Sequence, residues 1–128
     1  MSGEIKVIRT GAAPGAIGPY SQAVECGGMV FVSGQIPLDP ATGALVPGEF
    51  AEQAGRVMAN VGAILEAAGC ARSSVVKATV YLTDLARFGE FNEIYAAFFG
   101  EHRPARAVVG VAALPRGAQV EVEAVAVR

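Results

Sequence analysis

With 128 residues, two cysteines, one histidine and a formal net charge of −2, the chain carries no basic footprint for nucleic acid or an anionic membrane. Cys26, Cys70 and His102 are too few and too scattered for a CxxC-type zinc site. The hydrophobic share of 52% is above the usual range for a soluble domain, yet no apolar run approaches the ~18 residues a membrane span needs. The apolar excess is therefore expected to be buried in a core and in an interface between subunits. Residues 1–11 lack the basic start and long apolar segment of a signal peptide, so a cytosolic chain folding as one domain over 1–128 is expected.

Residues 5–9 read as a short strand, and residues 11–19 (GAAPGAIGP) as a loop, because Gly and Pro interrupt any period. Residues 23–26 and 29–35 read as two strands joined by Gly27-Gly28, a pair suited to the positive φ angles of a tight hairpin. Residues 37–48 form a second loop. The period then changes: Phe50, Ala54, Val57, Met58, Val61, Leu65 and Ala68 recur at three- and four-residue steps, one apolar face of a helix stopped by Gly69. Gly55, Gly62 and Gly69 fall seven apart, which predicts a seam where this helix approaches the sheet closely. Residues 75–83 (VVKATVYLT) are β-branched and alternate, as a strand does. Residues 88–99 carry an aromatic helical stripe of Phe88, Phe91, Ile94, Tyr95, Phe98 and Phe99. Residues 105–114 and 119–127 read as strands, and the short LPRGA link predicts that they pair as a hairpin. The order βββαβαββ implies an α+β fold, two helices laid on one largely antiparallel sheet.

No GxxxxGKS loop or GxSxG elbow is present, and no helix opening with Lys or Ser follows the glycine-rich loop, so phosphate binding and serine hydrolysis are not expected. His102, between Glu101 and Arg103 at a helix end, reads first as a surface or capping group and only second as a base. Arg106 and Glu121 stand out because each is a charge in an otherwise apolar strand, PARAVVGVAAL and QVEVEAVAV. A guanidinium stays charged and often clamps a carboxylate through two parallel hydrogen bonds. The alternative is that both are ordinary strand-surface charges. In the expected hairpin Glu121 faces about Val111, which leaves Arg106 about five residues further along, roughly 17 Å away at ~3.4 Å per residue. A bulge changes this by one step. If the two build one site, it lies between subunits.

The segments IGPYSQAV (17–24), VSGQIPLDPATG (32–43), NEIYAAFF (92–99), RPARAVV (103–109) and LPRGAQVEVEAVAV (114–127), in this order and spacing, resemble the RidA/YjgF family of reactive-intermediate deaminases. The resemblance implies a chorismate-mutase-like fold, a homotrimer with sites in the subunit clefts, and hydrolysis of 2-iminobutanoate or 2-iminopropanoate to keto acid and ammonia. Such imines arise from enamines released by pyridoxal-phosphate dehydratases acting on threonine or serine, so the implied role is control of metabolite damage. It further implies that Arg106 binds the substrate carboxylate and Glu121 activates water and shuttles protons. Tyr20 would close over the ligand, Ser33 and Gly34 line the pocket through backbone hydrogen bonds, and Asn92 sit at the rim. For Tyr20 the alternative is a buried aromatic with a satisfied hydroxyl, and for Asn92 a capping or packing role. No metal or organic cofactor is implied, since an imine is already electrophilic at carbon.

Two positions depart from the family pattern. Val108 stands where many members carry a cysteine, so no thiol chemistry is expected there, although its backbone N–H can still face a ligand. Gly110 stands where an acidic residue is common. A ligand-sensing member of the same fold, without catalysis, is the main alternative function. An RNA-acting protein is disfavoured by the acidic balance.

Overall fold

The computed structural model describes residues 3–128; Met1 and Ser2, the start of the segment read for a leader, lie outside the described residues. The elements follow the expected βββαβαββ order: β1 (Lys6–Ile8), β2 (Ala23–Cys26), β3 (Met29–Gln35), α1 (Phe50–Ala67), β4 (Val75–Leu82), α2 (Phe88–Phe99), β5 (Ala105–Gly110) and β6 (Val120–Val127). The strands form one mixed six-stranded sheet in the order β1-β2-β3-β6-β4-β5, and both helices lie on one face of it. The β2–β3 hairpin turns on Gly27 (φ 60°) and Gly28 (φ 80°), the left-handed pair that the dipeptide predicts. No helix among the described residues is long and apolar enough to cross a membrane.

The expected pairing of the last two strands is corrected. β6 does not pair with β5; it inserts between β3 and β4, antiparallel to both, while β5 runs parallel to β4 on the edge of the sheet. Alternation identifies a strand but not its neighbours, and the short link misled because it crosses over the end of β4. There the Val111 N–H donates to the Leu82 carbonyl, and the Thr83 N–H to that of Gln119. With α2 as the crossover, β4-α2-β5 is a βαβ unit.

On the helix-covered face, one row of register partners runs Ile8, Ala23, Val32, Ala124, Ala78 and finally Arg106 at the edge. All but Arg106 are buried, and three are alanines, which lets α1 sit close over the sheet. α1 covers this row with Ala54, Val57, Met58, Val61, Ile64 and Leu65. On the other face the matching row is Val7, Val24, Phe31 and Val125, which no helix covers. The glycine seam is also corrected. A side chain at Gly62 would meet the Phe98 ring on α2, at 3.1 Å, rather than the sheet; Gly55 faces open space, and Gly69 (φ 76°) ends the helix. His102, read first as a surface or capping group, is half-buried, and its Nε2 donates to the Val75 carbonyl at 2.7 Å, tying the end of α2 to β4.

Two buried amides on α1 position the segments that lead into the site. Asn60 is fully buried and donates from Nδ2 to the carbonyls of Ile36 (3.4 Å) and Leu38 (3.1 Å), just after β3. Gln53 Oε1 accepts from the N–H of Gln119 at the entry to β6. A carbonyl buried without a donor costs about 1–3 kcal/mol. Asn60→Ala is therefore expected to destabilise the fold by roughly 2 kcal/mol in urea melts, with Glu66→Ala, at an exposed position of the same helix, nearly neutral.

Candidate active site

Arg106 leaves β5 on the helix-covered face and meets α2. Phe88, Asn92 and Tyr95 are spaced four and three residues apart, so they share one face of that helix. The guanidinium Nη1 donates to Asn92 Oδ1 at 2.8 Å. Its carbon lies 4.8 Å from the Tyr95 ring centre and 5.5 Å from that of Phe88, within cation–π range of both. Burial raises the Tyr95 hydroxyl above its ordinary range, although Arg106 and Arg103 oppose the shift, so the ring stays neutral. No carboxylate pairs with Arg106 among the described residues, where the ion pairs are Arg87–Glu90 and Arg128–Glu25. The guanidinium borders a cleft of about 330 Å³ lined by Asn92, Tyr95, Ala96, Arg103, Pro104 and Arg106. A planar, always-charged fork with unspent donors beside a cleft suits a ligand carboxylate. Val108 is half-buried and packs on the core from this edge strand. At Gly110 a side chain would collide with Leu85, 2.9 Å from the nearest methyl.

Glu121 belongs to the opposite face. Its register partner is Tyr81, three residues along β4 from Ala78, the partner of Arg106, and an odd separation reverses the side. Its carboxyl is pushed above the ordinary value near 4.5, first by burial and then by the like charge of Glu123. Glu123 is itself held by the Tyr81 hydroxyl, which donates at 3.0 Å. Facing Glu121 is an irregularity in β3: Val32 pairs with Ala124 and Gln35 with Val122, so Ser33 and Gly34 together oppose Glu123, a β-bulge. The Ser33 hydroxyl is spent on the carbonyl of Ser21 (2.6 Å), which binds the bulge to the segment beside Tyr20. Tyr20 is 49% exposed, so the alternative of a buried aromatic is set aside; it shares a small cleft with Gly34. Gln22 holds the loop next to it, accepting from the N–H of Thr10 and donating to the carbonyls of Thr10, Ala13 and Pro14.

The sequence-predicted residues thus form two groups. Arg106, Asn92 and Val108 gather at the β5 edge; Tyr20, Ser33, Gly34 and Glu121 gather around the bulge. Two strand spacings and three residues of offset put the Arg106 and Glu121 Cα atoms about 14 Å apart, and the sheet itself stands between their side chains. The separation expected from a hairpin therefore holds, but for a different geometric reason. Phe88 and Tyr95 were read only as parts of an apolar stripe. The signal for them was Asn92, a polar residue set into that stripe at helical spacing. Among the described residues no three His, Cys, Asp or Glu side chains gather as a metal site needs.

These features place the molecule among small α+β proteins with two helices on one face of a six-stranded sheet and, at the sheet edge, an arginine beside a cleft. The Endoribonuclease L-PSP family matches residues 10–128, and the chain belongs to that family, the RidA/YjgF proteins. It is 54% identical to the 2-iminobutanoate/2-iminopropanoate deaminase of Mus musculus, over 96% of this chain and 91% of the relative. Among solved structures it resembles E. coli TdcF with bound serine (TM-score 0.91, 49% identity, covering 96% of this chain and 98% of that one). It equally resembles the YjgF gene product of E. coli (TM-score 0.91, 50% identity, 96% and 98% covered).

Because burial penalises only the charged form, Glu121 should titrate above 4.5 in a carboxyl-carbon NMR experiment, and Glu123→Gln should lower its midpoint. The sign for stability follows: the raised carboxyl loses stability as pH rises from its unfolded pKa to its folded one. Glu121→Gln should therefore melt slightly above the wild type at pH 7, and the gain should vanish below pH ~4. A midpoint at or below 4.5 would contradict this account.

Proposed function

We propose that the chain hydrolyses short 2-imino acids, 2-iminobutanoate and 2-iminopropanoate, to 2-keto acid and ammonia in the cytoplasm, at sites formed between copies of a homotrimer. The observation that carries this reading is the Arg106 clamp: a guanidinium oriented by Asn92, flanked by Phe88 and Tyr95, and left without a carboxylate of its own. The substrate carboxylate docks on Arg106 through two parallel hydrogen bonds, which fixes the imine carbon in place. Phe88 and Tyr95 then border a short apolar side chain. Glu121 takes a proton from water as the oxygen attacks the iminium carbon, giving a tetrahedral carbinolamine. The same carboxyl returns that proton to nitrogen and then takes the hydroxyl proton as the C–N bond breaks, so that the carbonyl forms and the departing ammonia carries the proton off as ammonium. Burial raises its pKa above the ordinary carboxylate value, which favours the proton-carrying form that donates to nitrogen. Tyr20 covers the site, and the backbone of Ser33 and Gly34 and of Val108 lines it.

Assembly follows from the same geometry. Arg106 and Glu121 of one chain lie on opposite faces of the sheet, so each needs the other half from a neighbour. The uncovered row Val7, Val24, Phe31 and Val125, with Phe31 45% exposed, supplies an apolar surface for that neighbour. The edge strand β5, two strands beyond β6, adds unpaired backbone groups at that end of the sheet.

A threonine dehydratase generates the imine in situ, semicarbazide traps what remains, and keto acid release is followed. Wild type should speed release; Arg106→Ala should lower kcat/KM by about 100-fold or more, and Glu121→Gln should lower kcat by about 100-fold or more. Light scattering should return three chains per particle; a strict monomer would sink the shared site. A second reading, ligand sensing without turnover, is favoured by one fact: TdcF was solved with bound serine. That reading predicts no acceleration by wild type, binding of serine that Arg106→Ala abolishes, and binding untouched by Glu121→Gln. The net charge of −2 speaks against RNA as the partner.

A further inference from the structure

We propose that Gly34 is the positioning residue for Glu121: the missing side chain at the β3 bulge is the seat on which the carboxylate rests. The inference depends on the reading of Glu121 as the proton-transferring group. A Cβ built on Gly34 would overlap Glu121 Oε2 outright and stand 2.9 Å from its Cδ and 3.3 Å from its Cγ. Contacts that close do not occur between real side chains, so the carboxylate occupies space that every other residue type would fill. Gly34 is not among the glycines at positive φ, so its backbone does not require glycine. What demands glycine here is the close approach of Glu121, which supplies the three nearest atoms to that position.

The bulge explains how the seat is made. With regular pairing, one β3 residue would face Glu123; instead Ser33 and Gly34 do so, and the extra residue turns the vacant position toward Glu121. The Ser33 hydroxyl on the Ser21 carbonyl and Asn60 on the carbonyls of Ile36 and Leu38 hold the strand on either side of it. Against this backbone the carboxylate is shielded from water on one side, which is the burial that lifts its pKa. On the remaining side Glu123 is tied up by Tyr81 and repels it, so the carboxylate has no counter-attraction away from the seat.

Gly34→Ala should therefore displace the end of one flexible side chain and leave the fold intact. In the trap assay kcat should fall at least 10-fold, with KM changed less than threefold, because Arg106 still binds the carboxylate. The acid limb of the kcat–pH profile and the NMR midpoint of Glu121 should both move down toward the ordinary carboxylate value as the group swings into water. Gly55→Ala, at a glycine facing open space, should leave every readout unchanged. In a Glu121→Asp background, which removes the overlapping Oε2 and leaves a carboxyl carbon near the present Cγ place, 3.3 Å from the new methyl, Gly34→Ala should cost less than it does in the wild type. If Gly34→Ala keeps wild-type kcat and an unmoved titration while Glu121→Gln is inactive, the seat is refuted and the base reading survives. If Glu121→Gln itself retains wild-type kcat, the base reading fails first. A Gly34→Ala protein that does not fold also overturns the proposal, since it would show that more than the carboxylate must move.

Discussion

The structure depends on β6 being paired along both edges. Val120, Val122, Ala124 and Ala126 are all buried beneath α1, while Glu121, Glu123, Val125 and Val127 are turned to the opposite face. A strand with a neighbour on each side cannot slip its register without breaking two ladders and inverting its buried set. This rigid alternation fixes the side on which Glu121 emerges. A carboxylate partly withdrawn from water needs such a support, because its desolvation is a standing penalty that a looser strand would relieve by turning the group outward.

The edge of the sheet meets a different requirement. Arg106 occupies the last position of a row whose other members are core residues, so its guanidinium has apolar surroundings on one side and a cleft on the other. The rings of Tyr95 and Phe88 and the amide of Asn92 orient it without neutralising it. An aspartate or glutamate in place of Asn92 would hold the guanidinium more tightly but would also satisfy it. Neutral partners leave its charge available to a ligand, which is the electrostatic difference between a structural arginine and a binding one.

The two groups also divide the chemistry by what each side chain can do. Arginine cannot give up its proton at any accessible pH, so it serves to bind and orient. A carboxyl can be tuned, and here burial and a like-charged neighbour tune it upward. With the sheet between them, neither group alters the other within one chain; an Arg106–Glu121 ion pair there would have lowered the carboxyl pKa and occupied the guanidinium.

Much of this was legible in the chain itself. The hydrophobic periods place the strands and helices because burial imposes a repeat of two or 3.6 residues on neighbouring positions, and Gly27-Gly28 specifies its turn because only glycine adopts those φ angles cheaply. Arg106 and Glu121 stood out as charges in apolar strands, and ordered motifs such as GPYSQ, RPAR and VEVE located their companions. Which strands pair was not legible: β5 and β6 are adjacent in sequence but separated by β4, because pairing is a non-local choice decided by how α1 and α2 cover the sheet. Nor was the use of the glycines. Gly62 makes room for Phe98 and Gly34 for Glu121, contacts 36 and 87 residues apart. The sequence alone determined the elements and the charges set in apolar strands, since both follow from local chemistry; only tertiary structure decided which face each group occupies and what stands beside it, since those depend on packing between distant segments.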